Sequence, residues 1–258
     1  MIRMGRAAGG GEGWAGGAAG VKRTKPVAKA VNVLIVAGAG NMQQMLVLLL
    51  LSLASGSVLA GSVVEKATGL AFPESSGSFP ALSLAGVGVR VKQVGPVAAK
   101  VYAVGVHVPR SSVVGRLKAL RSKSGQDVEK HLAAVIGQDA HFTLKMARDV
   151  KSETMASALA DAIKPRMQGK DGAALQSLEK LILGSFTSTG GSCKKGAELK
   201  FTCGKSSVGV TINGSKRGDV SSGVLSRAFI ETYTDKNSVS ASLRQSLGAT
   251  LFGWSTNA

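Results

Sequence analysis

The chain reads as an α+β protein, a large antiparallel sheet covered by a helical layer, and three observations carry that reading. Residues 82–91 and 97–108 are valine-rich segments of alternating character, separated by a few turn residues. Apolar residues then recur at helical spacing through much of 111–182, interrupted by one alternating segment at 141–148. Strand pattern returns at 197–213, and two more helical stretches follow. Too few strands lie between the helices for a doubly wound parallel sheet, and no internal repeat is visible.

Each element has a local reason. Pro109 ends the second strand, and Val113, Val114, Leu117 and Leu120 define a helix over 111–122. Val128, Leu132, Val135 and Ile136 predict one helix over 126–136. Phe142, Leu144 and Met146 alternate with Thr143, Lys145 and Ala147, as in a half-buried strand. Ser152 reads as an N-cap for a helix with Met155, Leu159 and Ile163 on one face and Pro165 near its end. Asp171 reads as the cap of the next helix, with Leu175, Leu178, Leu181 and Ile182 inward. Strands are predicted at 197–203 and 207–213, and Asn213-Gly214 is a strong turn signal. Helices over about 221–234 and 239–247 place Leu225, Phe229, Leu243 and Leu247 in the core.

The first 60 residues read as an extension plus a targeting segment, leaving 61–258 as the folded domain. Residues 1–30 are Gly/Ala-rich, carry six Lys/Arg against one Glu, and lack periodicity, which is a composition of disorder. No charge occurs from Val31 to Val64, and the run Met45–Ala54 is densely apolar before Val58-Leu59-Ala60. An apolar run ending in small residues is a signal-peptide pattern, with cleavage after Ala60, and Met42 is an alternative start. The expected destination is the secretory pathway or a plastid. The alternative is a membrane anchor, because the uncharged stretch is long enough to span.

The formal net charge is +17, of which residues 61–258 hold 26 Lys/Arg against 14 Asp/Glu. No RNA-binding aromatic pattern, zinc-finger spacing or basic heptad helix accompanies it, so nucleic acid is not an expected partner. Lys194-Lys195 and Lys216-Arg217 read as turn residues, solvated or in peripheral contact with an anionic membrane. Cys193 and Cys203 pair in an oxidising compartment or stay as buried thiols, and neither has a partner at metal-ligand spacing. No metal and no cofactor is expected. Gly86-Val87-Gly88 lacks the third glycine and the following helix of a nucleotide loop. His107, His131 and His141 are scattered, without a nucleophile or metal-ligand motif.

Arg90 and Tyr102 stand apart because they place one guanidinium and one phenol on otherwise apolar strands. With Val94-Gly95-Pro96 as a three-residue loop, Gln93 pairs with Val97, Arg90 with Lys100, and Gly88 with Tyr102. Tyr102 then lies diagonal to Arg90 on one sheet face, within reach of long side chains. A loop one residue longer or shorter would separate the two faces. This arrangement suits capture of an anionic group at the mouth of an apolar cavity. The bland alternative is a local ion pair for Arg90 and a core position for Tyr102.

The run Phe79–Val108, with Gly86-Val87-Gly88-Val89-Arg90 and Lys100-Val101-Tyr102-Ala103-Val104-Gly105-Val106, resembles the chalcone isomerase superfamily. The resemblance continues at Phe142–Arg148, at Val208–Gly218 and at Ala228-Phe229-Ile230-Glu231-Thr232, and covers about 72–250. It implies a large antiparallel sheet with a helical layer and a ligand cleft between them. The superfamily holds intramolecular lyases that close a chalcone to a flavanone, and non-catalytic fatty-acid-binding relatives. It implies that Arg90 occupies the position of the arginine that stabilises the phenolate in the enzymes. Those enzymes carry a threonine where this chain has Tyr102, a tyrosine near Thr154 and an asparagine near Asp161. Thr232 after Glu231 matches their final hydroxyl. An arginine with a tyrosine resembles the fatty-acid-binding branch. The implied ligand is a fatty acid or similar amphipathic carboxylate held by Arg90, Tyr102 and Thr232. A chalcone-cyclising enzyme and an interaction subunit without a ligand are the alternatives. Val104, Val106, Met155, Leu159 and Phe229 are candidates for the tail cavity or the core.

Overall fold

The computed structural model describes residues 61–76, 81–121 and 124–257. The expectations for the first 60 residues, from disorder to cleavage or anchoring, lie outside the described residues, as does Phe79. Among the described residues no helix is long and apolar enough to cross a membrane.

A short pair, β1 (Ser62–Val64) and β2 (Ala71–Pro73), precedes the long hairpin β3 (Ser83–Val94) and β4 (Val97–Val108). Helices α1 (Arg110–Leu120), α2 (Gly125–Glu129) and α3 (Leu132–Ile136) lead to β5 (Ala140–Met146). Then come β6 (Val150–Lys151), α4 (Ser152–Ile163), a 3₁₀ turn at Lys164–Met167, and α5 (Gly172–Gly184). The chain closes with β7 (Ser192–Cys193), β8 (Glu198–Cys203), β9 (Ser207–Ile212), β10 (Ser215–Ser221), α6 (Gly223–Thr234) and α7 (Ala241–Thr256). Six strands form one antiparallel sheet in the order β10-β9-β8-β5-β4-β3, so the α+β expectation is met.

Alternation sorts the strands into two faces. Val104 and Val106 of β4, Phe142 and Leu144 of β5, Phe201 of β8 and Val210 of β9 are all buried in one core. Met155, Leu159 and Ile163 of α4, Leu178 and Ile182 of α5, Leu225 and Phe229 of α6, and Leu243 and Leu247 of α7 complete it. At its centre Phe142 meets Phe229 edge-on with ring centroids 5.5 Å apart, and Phe201 lies 4.7 Å from Phe229. On the opposite face, Phe72 of β2 covers Ala103 and Gly105; a Cβ at Gly105 would run into the Phe72 ring.

That opposite face also carries His107 and His141 as cross-strand partners. His107 Nε2 donates to the Pro73 carbonyl at 2.8 Å. Burial lowers the pKa of His141 to about 4, with help from Lys200 and His107, and lowers that of His107 in the same sense. The unfolded chain therefore binds a proton near pH 6.5 that the folded chain refuses. The stability this represents is complete above pH 6.5 and is lost as pH falls through about 4. His141 is partly exposed, so screening reduces the loss to roughly 1–2 kcal/mol. Thermal melts should show the midpoint falling from pH 7 to pH 4, and His141→Gln should flatten that slope. An unchanged slope would assign the pH dependence to other groups.

The edges of the sheet are guarded. Edge strand β3 hands its outward groups to α7: Val87 and Val89 N–H donate to Ser246 Oγ at 3.1 Å and Ser242 Oγ at 3.0 Å, and Ser240 Oγ donates to the Val89 carbonyl at 2.8 Å. The other edge, β10, is short and charged, with Lys216 paired to Asp219. Lys216 and Arg217 therefore lie in a strand rather than a turn, although Asn213 and Gly214, with φ of 49° and 77°, make the expected tight turn before it. The run Ser-Lys-Arg-Gly-Asp has little strand propensity, and pairing with β9 overrides it.

Other departures are local. The predicted helix over 126–136 is two, broken where His131 leaves helical geometry. Ser152 is not the N-cap: it is the first helical residue of α4, and its hydroxyl donates to the Gly191 carbonyl at 3.0 Å. Asp171 does sit at the N-cap of α5, without a side-chain capping bond. The last helix runs past Gly248 to Thr256 because that glycine marks a close crossing with α2. A Cβ there would stand 2.6 Å from the Gly125 carbonyl. The two cysteines are free and buried, not paired. Cys193 lies opposite Val150 and Cys203 opposite Ala140, and burial pushes the Cys193 thiol up to about 12.

Candidate functional site

The hairpin register differs from the expected one. Val94 pairs with Val97, so the loop is the two residues Gly95-Pro96, with Gly95 at φ 59° as its first central position requires. That loop alone would put Arg90 opposite Val101 and turn Tyr102 to the far face. A bulge intervenes: Val91 pairs with Lys100 but Arg90 with Tyr102, leaving Val101 as the extra residue. The bulge returns Tyr102 to the face of Arg90, directly opposite rather than diagonal.

Tyr102 is buried, with its hydroxyl 2.9 Å from that of Tyr233, and the Arg90 guanidinium lies near enough for its charge to act on it. Burial raises the Tyr102 pKa, opposed in part by the nearby charge of Arg90 and by the bond with Tyr233. Burial pushes Tyr233 well above its ordinary value, and Tyr102 adds to that. Both phenols are thus neutral at pH 7, and the one proton that their mutual bond does not use is left to donate. Arg90 is half-buried, and among the described residues no carboxylate makes an ion pair with it.

Arg90 forms part of the wall between two cavities. One, about 300 Å³, has Tyr102 and Arg90 with the apolar side chains Ala99, Val101, Val150, Met155 and Leu159. The other, about 680 Å³, is polar and open, with Glu153, Thr154, Ser157, Asp161 and Arg166 along α4 and its 3₁₀ extension. Arg166 is itself committed, holding Asp235 through two bonds of 2.8 Å at the end of α6. Among the described residues no group of three or more His, Cys, Asp or Glu could hold a metal ion.

Of the sequence-derived candidates, Arg90 on the hairpin and Thr154 on α4 line both cavities, Tyr102 only the smaller and Asp161 only the larger. Thr232 does not join them. Its hydroxyl donates to the Ala228 carbonyl at 2.8 Å, one turn back on α6 and fully buried. The neighbouring Tyr233 reaches Tyr102 instead. Its signal was the spacing Leu225-Phe229-Tyr233, which continues the core face of α6 by one more turn. Of the tail-cavity candidates, Met155 and Leu159 line the smaller cavity, whereas Val104, Val106 and Phe229 are packed in the core.

Tyr102→Phe alone leaves the fully buried Tyr233 hydroxyl without a partner, a cost of about 1–3 kcal/mol. The double variant with Tyr233→Phe removes both hydroxyls and should be more stable than the sum of the single variants predicts. A denaturation cycle reads this directly, and strict additivity would dissolve the pair.

Fold and site together define an antiparallel sheet under helices with a cation–phenol pair lining an apolar cavity. Residues 66–248 match the model of the chalcone isomerase-like family, and the chain belongs to that family. A solved structure similar to it is the fatty-acid binding protein of Arabidopsis thaliana. That protein is 21% identical, and the match covers 76% of this chain and 99% of that one with a TM-score of 0.62. No curated protein matches the chain.

Proposed function

We propose that the chain binds a fatty acid or similar amphipathic carboxylate, with the head group on Arg90 and Tyr102 and the tail in the apolar cavity. The observation that carries this is a half-buried guanidinium beside a neutral phenol, at an apolar cavity, without a carboxylate partner among the described residues. Such a pair supplies charge-assisted, fork-shaped donation to one anion. The cavity of about 300 Å³ falls at the small end of ligand sites, about 300–1,000 Å³. The fatty-acid-binding neighbour in the same fold supports the assignment. Mass spectrometry of small molecules released from the purified protein should find long-chain acids in stoichiometric amount. Protein that is ligand-free and silent in calorimetric titration with such acids would overturn the reading.

The reading includes the absence of chalcone cyclisation. By the family resemblance, Thr154 and Asp161 stand where the lyases place a tyrosine and an asparagine, and Tyr102 stands where they place a threonine. With the groups that would polarise the ketone replaced, the largest usual catalytic contribution is missing. Assays with naringenin chalcone should return the uncatalysed rate. Acceleration by several orders of magnitude, the ordinary enzymatic scale, would make the chain a lyase.

A further inference from the structure

The β3–β4 hairpin walls the smaller cavity with Arg90, Lys92, Ala99, Val101 and Tyr102, two rungs and more below its turn. The β4–β5 register begins at Tyr102, opposite Met146, after one bond from the Ala147 N–H to the Val101 carbonyl, so the backbone of residues 91–100 pairs within the hairpin as a ribbon. Val91 and Val97 on this ribbon are 47% and 62% exposed, two of the three large apolar side chains left exposed among the described residues. The register puts them on opposite faces of the ribbon. Cations lie along the cavity at the base of the ribbon. Lys92 on the ribbon and Arg148 and Lys151 across the opening all line the cavity and are exposed. The rim's one carboxylate, Asp149, is engaged by Lys194 Nζ at 3.2 Å and the Lys195 N–H at 2.7 Å.

We infer that this end of the molecule docks on an anionic lipid bilayer, with the ribbon tip among the acyl chains and Lys92, Arg148 and Lys151 on the head groups. A protein partner would have to clasp the ribbon from both sides to cover Val91 and Val97. A bilayer accepts a tip from every side. Basic groups near an anionic surface each strengthen binding about fivefold, within a Debye length. The cavity mouth then faces the membrane, so an amphipathic carboxylate passes between bilayer and cavity without crossing bulk water. That last consequence rests on the proposed ligand; the docking does not.

The test is co-sedimentation of the full chain with mixed phosphatidylserine–phosphatidylcholine vesicles, without added fatty acid. Lys92→Glu/Arg148→Glu/Lys151→Glu should lower the partition coefficient on the order of a hundredfold or more. Lys216→Glu/Arg217→Glu, on the far edge strand β10, should change it by about twofold at most, because β10 is the opposite edge of the sheet. Val97→Asp should weaken binding without altering the circular-dichroism melt. All variants keep residues 1–60, so any contribution of that segment cancels. Wild-type binding by the rim variant would overturn the docking and leave the face to a protein partner. Equal losses in rim and far-edge variants would reduce the effect to overall charge. Acid titration without vesicles separately decides the ligand reading.

Discussion

Arg90→Ala is expected to lower affinity for a long-chain acid on the order of ten- to a hundredfold. A hydrogen bond to a charged group contributes about 1.5–3 kcal/mol, and here the guanidinium is half-buried beside a phenol rather than screened at the surface. The fold should survive, because no carboxylate among the described residues loses an ion-pair partner with it. Arg90→Lys should also weaken binding, since it keeps the charge and loses the planar fork. Tyr102→Phe should cost less affinity than Arg90→Ala, because a neutral donor is removed and the charge remains. The methyl ester of the acid should bind poorly to the wild type and be nearly indifferent to Arg90→Ala. Calorimetric titration of acid and ester decides this. Equal affinities of wild type and Arg90→Ala for the acid would remove Arg90 from the head-group site.

The second large effect is on stability. Gly88 of β3 lies under α7 so closely that a Cβ would stand 2.6 Å from Leu243 Cα and 2.7 Å from Leu243 Cβ. Backbone cannot yield there, so Gly88→Ala must lift the helix from the strand. That lift strains the bonds from Ser240, Ser242 and Ser246 that satisfy the sheet edge. Overpacking costs about 1–3 kcal/mol and each weakened bond about 0.5–1.5, so several kcal/mol are at stake. At roughly 2–4 °C per kcal/mol, the melting temperature should fall on the order of 10 °C. Gly115→Ala on α1 is the control: nothing stands within 4 Å of the added carbon. That substitution should be neutral or stabilising, as alanine is in a helix. Calorimetric scans separate the two, and equal midpoints for Gly88→Ala and wild type would show that α7 moves freely. Since β3 also carries Arg90, the Gly88 variant should bind the acid less well.

The site was legible as residue types and only partly as geometry. Arg90 and Tyr102 stood out because charge and phenol are rare on valine-rich strands. That they share a face followed from the wrong register, a three-residue loop, whereas the molecule reaches it with a two-residue loop and a bulge at Val101. The two errors cancel in side-chain parity, which a period of two permits. Thr232 and Tyr233 show the same limit on a helix. Neighbours differ by about 100° in direction, and the Leu225-Phe229 face already pointed to Tyr233.

By itself the sequence determined what is local. Alternation at 82–91, 97–108 and 141–148, helical spacing in α4 to α6, and the Asn213-Gly214 turn each follow from side-chain period or backbone preference within a few residues. Only the tertiary structure decided what joins distant segments: the strand status of Lys216 and Arg217, the free state of Cys193 and Cys203, and the partnership of Tyr102 with Tyr233, 131 residues apart. It also decided the continuation of α7 through Gly248. Strand pairing overrides weak propensity, and close approach of two backbones selects glycine where propensity would end the helix. Both are energies of contact between surfaces that the chain brings together only on folding.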